Sequence, residues 1–409
     1  MRQKSAAHIL TINSGSTSIK VALYQMGQDE MRLFSGSLEK IGEGDGRFQI
    51  HNSNGERLFS RRLPLPDHQA AFQTLFDWLA ETHPSRNLDL VGHRLVHGGA
   101  EFAQPLWISS DVLFRLQKLI PLAPDHLPHE LKAIQAVSQD YPDVPQVACF
   151  DTAFHRSLPR KAYLFALPHT YEREGVRRYG FHGLSCEYIL QELEKEAGSQ
   201  AAKGRLVIAH LGGGASMTAV LNGQSVDTTM GLTPLGGLIM GTRCGDLDPG
   251  VLLYLMRLRE QSVDALDLLL NRQSGLLGVS GISADMKELL GQEGQEPRAA
   301  DAVSLFCYQA KKFLAALSAA LGGLDTLIFT GGIGENAAAV RQRICHDMAF
   351  MGIQLDPLRN QSNEPVISPA DSPVTVRIMK TDEDLMIARH TFNLLVQRES
   401  GLGAGVPPD

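Results

Sequence analysis

Chemistry on a phosphate asks for backbone N–H groups that an anion can approach and for positive side chains close by. The turn NSGSTSIK (13–20) has that make-up, a glycine among hydroxyl side chains with Lys20 at its end. Alone, such a turn is commonplace. A second cluster, HLGGG (210–214), sets three glycines where backbone can meet a phosphate without a Cβ in the way. A third, GGIGEN (331–336), reads as a turn between a strand and a helix that opens near Asn336, where N–H groups and the helix dipole suit a nucleotide. Neither a Walker A sequence nor GxGxxG is present. Three glycine turns, each directly after a strand, favour nucleotide binding over three structural turns.

Fixed positive charge is expected from two arginines. Arg94 in GHRLVHGG and Arg243 in MGTRCGDLDPG both read as loop residues among glycines, and a planar guanidinium fork suits bidentate contact with carboxylate or phosphate. His182 in RRYGFHG and His126 in LAPDHLP have similar settings. A single histidine is more often structural than catalytic, so only the ensemble carries weight.

The elements that must hold these residues are those of an α/β chain. A length of 409 residues implies two domains, and 43% hydrophobic with 20% charged residues is a globular composition. A net charge of −7 argues against a nucleic-acid partner. No apolar run reaches the ~18 residues of a membrane span, and the start, MRQKSAAHILTINSGS, lacks the apolar core of a secretory signal. Cys149, Cys186, Cys244, Cys307 and Cys345 are scattered without CxxC spacing, which predicts reduced thiols in a cytoplasmic protein. Strands are expected at Ile9–Asn13, Ile19–Met26, Leu88–Val91, Val144–Phe150, Leu206–His210, Ala215–Leu221 and Leu324–Thr330, and a helix at Ala302–Leu321. The two hairpins repeat weakly: Asn13 aligned on His210 puts Gly15 on Gly212, Ala22 on Ala219 and Leu23 on Val220. Duplicated domains and chance likeness between amphipathic hairpins explain this equally well.

INSGSTSIK, GHRLVHGG, CFDTAFH, YGFHG, HLGGGAS, MGTRCGDLDPG, FTGGIGEN and TDEDLMIAR together resemble the ordered motif set of the acetate kinase family, from residue 9 to about residue 390. The resemblance implies an α/β fold of two duplicated ribonuclease H-like (actin-like ATPase) domains flanking a catalytic cleft. The domains expected are 1–150 with 384–400, and 151–383 for nucleotide, followed by a disordered tail at 401–409. It also implies a cytoplasmic homodimer that makes acetyl phosphate from ATP and acetate by in-line transfer. Carried over by position, Asn13 and Glu383 would hold Mg²⁺, with Mn²⁺ as an alternative. Arg94 and Arg243 would flank the carboxylate and the moving phosphoryl group, and His182 would donate to its oxygens. Lys20, His210, Leu211, Gly212, Gly213, Gly214, Asp285, Met286, Lys287, Gly332, Ile333, Gly334, Glu335 and Asn336 would bind ATP. Val96, Asp125, His126, Phe181 and Pro234 would surround the small carboxylate. The family usually gives Asp151 an acid/base role. A carboxylate nucleophile is already ionised at neutral pH, so Asp151 is expected instead to orient an arginine or a water.

Three positions depart from the family pattern. Gly213 stands where an asparagine is usual, and Lys287 where an arginine is usual. Asp125 stands where a leucine is usual in the apolar pocket. Either Asp125 pairs with a neighbouring His or Arg, or the preferred acid is longer or hydroxylated. Rival readings are a propionate or other short-chain acid kinase of the same family, an Hsp70-like or actin-like nucleotide clamp, and a sugar kinase, which would need a base for its neutral hydroxyl.

Overall fold

Strand β1 (Ala7–Ser14) is buried at six of its eight positions, as suits a strand covered on both faces. The computed structural model describes residues 6–82 and 88–401. The chain divides into two compact units, Met1–Ala153 with Asp382–Asp409, and Phe154–Thr381. The expected tail lies outside the described residues except for Gly401.

In the first unit β1 is joined by β2 (Ser18–Met26), β3 (Glu30–Glu39), β4 (Gly46–Asn52), β5 (Arg57–Leu63), β6 (Leu90–Leu95), β7 (Leu106–Trp107) and β8 (Gln146–Phe150), in the sheet order β5-β4-β3-β2-β1-β6-β8-β7. Hairpin neighbours are antiparallel, whereas β1, β6 and β8 run parallel. Parallel strands need crossover connections, and the helices His68–Thr82 and Leu127–Asp140 supply them. On one face Leu10, Ile12, Val21, Leu23 and Phe34 pack with Phe72, Leu75, Trp78, Ala133 and Val137 of those helices. Each of the larger aliphatic and phenylalanine side chains contributes roughly 1.5–3 kcal/mol by leaving water. On the other face Ile9, Ala22, Tyr24 and Leu90 meet Ala388 on the helix Glu383–Glu399.

The second unit orders its strands β11-β10-β9-β12-β13, from β9 (Arg205–Leu211), β10 (Ala215–Leu221), β11 (Gln224–Thr228), β12 (Thr326–Thr330) and β13 (Thr375–Ile378). Three antiparallel strands followed by two parallel ones match β3-β2-β1-β6-β8 of the first unit. Each unit therefore has the ribonuclease H-like order. The long helix runs Pro297–Leu321 and buries Val303, Phe306, Ala310, Leu314 and Leu317. It starts earlier than its apolar stripe because Pro297 occupies the first turn, where a missing N–H costs nothing.

Several expectations need correction. Arg94 lies inside β6 rather than in a loop. Gly92, one of the glycines that made this stretch read as a loop, is needed because a Cβ there would come 2.6 Å from Ile387 of the helix packed against it. GGIGEN is itself a short helix, Gly331–Asn336, not a turn. The expected boundaries put Asp151 and Glu383 in the second domain, yet both belong to the first unit. Asp151 continues β8, its N–H donating to the Leu95 carbonyl at 2.9 Å, and Glu383 opens the helix packed on β1.

The repeat also slips by one residue past its turn. Thr11 pairs with Ala22, but Ile208 pairs with Thr218, so Ala22 corresponds to Thr218 and not to Ala219. The second turn is one residue shorter, and a slip of one moves a side chain to the opposite face of the sheet.

Candidate functional site

In the first unit, pairing sets the geometry. Parallel pairing of Ile12 with His93 brings Asn13 beside Arg94 at the strand ends, and antiparallel pairing sets Lys20 opposite Asn13 with its side chain exposed. Arg94 donates from Nη1 to Asn13 Oδ1 at 3.3 Å and from Nη2 to Asp151, and its Nε stands 3.7 Å from Glu383 Oε2. Burial works against the charge on Arg94, but the neighbouring carboxylates, Asp151 first and then Glu383, outweigh it and raise its pKa, so the guanidinium stays protonated. Below it, Asp384 accepts from Thr11 Oγ1 at 3.2 Å. Burial, with help from Asp382 and Glu383, pushes the Asp384 carboxyl up to about 6. Asp382 caps the helix by accepting from the Leu385 N–H at 2.9 Å.

Two negative groups thus flank one positive group, with the Asn13 amide oxygen beside them. Asn13 and Glu383 offer hard oxygens of the kind Mg²⁺ takes when water and phosphate oxygens complete its shell. Among the described residues no group of three or more His, Cys, Asp or Glu is arranged to hold a metal.

The segment after β6 is tied down by side chains from elsewhere in the unit. Val96 is buried and donates its N–H to both Glu130 oxygens, at 3.1 and 3.2 Å. The Gly98 N–H donates to Thr152 Oγ1 at 3.1 Å, and the Gly99 N–H to His97 Nδ1 at 2.9 Å. Asp125 and His126 are both half-buried and precede the helix Leu127–Asp140, His126 standing at its cap position.

In the second unit, His182 sits at the start of the helix Gly183–Ala197 with a left-handed φ of 57°. Its Nδ1 is 2.9 Å from Ser216 Oγ on β10, and its ring stacks on His210 with centroids 4.2 Å apart. A Cβ added at Gly214 would lie 3.3 Å from His182 Nε2 and 3.8 Å from Arg243 Nη1. Glycine therefore leaves an opening where an imidazole and a guanidinium converge. Arg243 Nη1 also donates to the Pro234 carbonyl at 3.3 Å, and the Gly241 N–H donates to the Gly213 carbonyl at 3.1 Å, linking the two glycine-rich loops. His155 Nε2, 2.9 Å from the Phe181 carbonyl, fixes the chain just before His182; burial pulls the His155 pKa down to about 4, so that imidazole is neutral.

The nucleotide candidates form one surface in part. Thr330 pairs with His210, so GGIGEN rises beside HLGGG. Gly331 has φ +77°, and a Cβ there would strike the Leu211 carbonyl at 2.7 Å. Gly332 and Gly213 present exposed backbone, with Gly212 half-buried between the loops. Other side chains are spent on folding. Leu211, Phe181 and Met286 are buried. Glu335 accepts from the Gly331 N–H at 3.0 Å, and Asn336 donates to the Gly332 carbonyl at 2.9 Å. Asp285 caps its helix through the N–H groups of Lys287 and Glu288, at 2.7 and 3.1 Å. Lys287 remains exposed, while Ile333 and Gly334 lie within the short helix.

Ser216 and Glu130 escaped the sequence reading. A serine just after HLGGGA has no distinguishing spacing, and the one weak signal for Glu130 is that it stands four residues after His126, one helical turn along.

Duplicated nucleotide-type folds, one unit bearing an arginine among oxygen donors and the other glycine loops with His and Arg, define a phosphotransferase class of the actin-like ATPase fold. The sequence model of the acetokinase family matches residues 8–389. Acetate kinase from Rhodopseudomonas palustris is 47% identical over 392 residues, covering 94% of this chain and 98% of that protein. The solved structure of Porphyromonas gingivalis acetate kinase shares 39% identity and superposes with a TM-score of 0.85 over 95% of this chain and all of that one. A propionate kinase structure from Francisella tularensis shares 36% identity, with a TM-score of 0.89 over 95% of this chain and 99% of its own. The chain belongs to the acetokinase family.

Proposed function

We propose that this chain transfers the γ-phosphoryl group of ATP to acetate, giving acetyl phosphate and ADP. The observation that carries this reading is Arg94, kept charged between Asp151, Asn13 and Glu383. Two anions must meet for a carboxylate to attack a triphosphate, and fixed cations remove most of that repulsion. Arg94 binds the carboxylate and aims it. Its bond to Asp151 supports an orienting role for that residue, since an ionised carboxylate needs no general base. His182 and Arg243 converge beside Gly214, in position to donate to phosphoryl oxygens as charge develops. Held by Asn13 and Glu383, Mg²⁺ or Mn²⁺ would neutralise phosphate charge.

The acid is less constrained than the chemistry. Asp125 beside His126, together with the likeness to a propionate kinase, supports a second reading in which a longer acid is preferred. Hydroxamate trapping of acyl phosphate, with acetate, propionate, butyrate and a hydroxy acid, separates the two. Acetate preference in the wild type that is unaltered in Asp125→Leu removes the second reading, and no acyl phosphate from any acid removes both.

We further infer a cytoplasmic homodimer. The helix Pro249–Leu258 buries none of its residues, although it presents Val251, Leu253, Tyr254, Met256 and Leu258, an apolar surface that a second copy would cover. A monomer at micromolar concentration in sedimentation would remove the dimer. All five cysteines are thiols, as suits a reducing compartment, and no helix among the described residues is long and apolar enough to cross a membrane.

A further inference from the structure

The helix Leu127–Asp140 does more than carry His126 at its start. One turn on, Glu130 is 2% exposed and points both carboxyl oxygens at the Val96 N–H. The same turn is fastened on its other side, where Ser14 Oγ donates to the His129 carbonyl at 3.4 Å. Ser14 follows Asn13 on β1, and Val96 stands two residues beyond Arg94. This single helical turn therefore ties together the ends of the two strands that carry the candidate metal amide and the candidate carboxylate-binding arginine. A lone peptide N–H can be satisfied by any neutral acceptor, and burying a carboxyl group for that task is costly. The choice of glutamate calls for a further reason.

We propose that Glu130 is a positioning residue for the carboxylate substrate, fixing the backbone at Val96 and through it the aim of Arg94. This rests on the reading of the site as a carboxylate kinase. The charged groups that act on Glu130 from other elements are Arg94 of β6 and Asp151 after β8. Asp151 and Glu383 already surround Arg94 with negative charge, and a third carboxylate would repel the anionic substrate. Burial raises the Glu130 carboxyl to about 8 against the pull of Arg94 and the Val96 N–H, so it keeps its proton at neutral pH. In that state it accepts from Val96 without adding charge. Above that pH it ionises beside the acid-binding arginine.

Initial rates by hydroxamate trapping on the full chain, with MgATP at pH 7 and 9, test this together with melting temperatures. Glu130→Ala should raise the acetate KM about tenfold at pH 7 while the ATP KM stays within about twofold. Glu130→Gln keeps a carbonyl oxygen for Val96 and should restore the acetate KM to within about threefold of wild type. From pH 7 to 9 the acetate KM should climb in the wild type and stay nearly level in Glu130→Gln. An unchanged acetate KM in Glu130→Ala, a joint rise of both KM values, or a glutamine variant no better than alanine would overturn the proposal. If the alanine variant does not fold, wild type against Glu130→Gln still decides, because parallel pH profiles overturn it. A wild type inactive on every short-chain acid refutes the kinase reading and this role with it, whereas an active wild type with indifferent variants refutes only this role.

Discussion

The two units place different chemistry at matching positions of two separate sheets that share one strand order. In the first, the ends of β1, β6 and β8 bring together Asn13, Arg94 and Asp151. In the second, the matching positions are His210 and Thr330, paired near the ends of β9 and β12, and Thr381, three residues past the end of β13. Thr330 is fully buried and Thr381 Oγ1 lies 2.9 Å from Ser185 Oγ, so neutral hydroxyls stand where the first unit has an ion pair. A buried arginine requires a counter-charge, and supplying it commits the neighbouring strand end as well. A glycine opening requires only backbone, so the second unit brings its polar side chains in from a loop and a helix start, as Arg243 and His182.

Removing each arginine in turn is the harshest test of that contrast. Arg94→Ala and Arg243→Ala should each lower kcat/KM by about 10²–10³, or ~2.7–4 kcal/mol, the range for a lost electrostatic donor. Their stabilities should diverge. Arg94→Ala removes the ion-pair partner of the buried Asp151 carboxylate and should cost about 3–5 kcal/mol, while Arg243, whose bonds include the neutral Pro234 carbonyl, should leave the melting temperature nearly unchanged. Equal melting losses in the two variants would break the comparison.

Glycines sharpen it at the second unit. Gly331→Ala forces a Cβ against the Leu211 carbonyl at an unfavourable φ, and the ATP KM should rise by about tenfold or more. Gly213 has nothing within 4 Å of its added Cβ, so Gly213→Ala should keep the ATP KM within about threefold. Similar defects in both would mean that backbone approach is not what these loops provide.

The smallest effect concerns pH and returns to the first unit. The Glu130 carboxyl is raised from 4.5 to about 8 by burial, so across that window the folded chain holds a proton that the unfolded chain has released. This favours the fold at low pH and is lost as pH rises through about 8. Glu130→Gln removes the penalty, and its melting temperature should gain on the wild type by about a few degrees between pH 5 and 9. Melting curves that stay parallel across that range would contradict the buried, proton-bearing state.

Much of the fold was legible in the residues. Apolar runs between glycine turns marked the strands, and the stripe from Val303 to Leu321 marked the long helix, because burial on one face leaves a period in the sequence. Arg94 was singled out but misplaced, since Gly92 signals a turn in isolation and close helix packing in context. The repeat was visible but one residue out, because an alignment of letters does not register a shortened turn. Glu130 left little trace, since one glutamate in an amphipathic helix resembles any other until burial distinguishes it.

What the amino-acid order determined by itself was local: which stretches extend, which coil, where backbone can turn without a Cβ, and the ordered motifs of the acetokinase family. What the tertiary structure decided was which distant groups share one field. Asn13, Arg94, Glu130, Asp151 and Glu383 are far apart along the chain, and strand pairing with helix packing makes them neighbours. Charge states follow from that closeness and from burial, because desolvation and Coulomb interactions depend on distance in space and not on position in the chain.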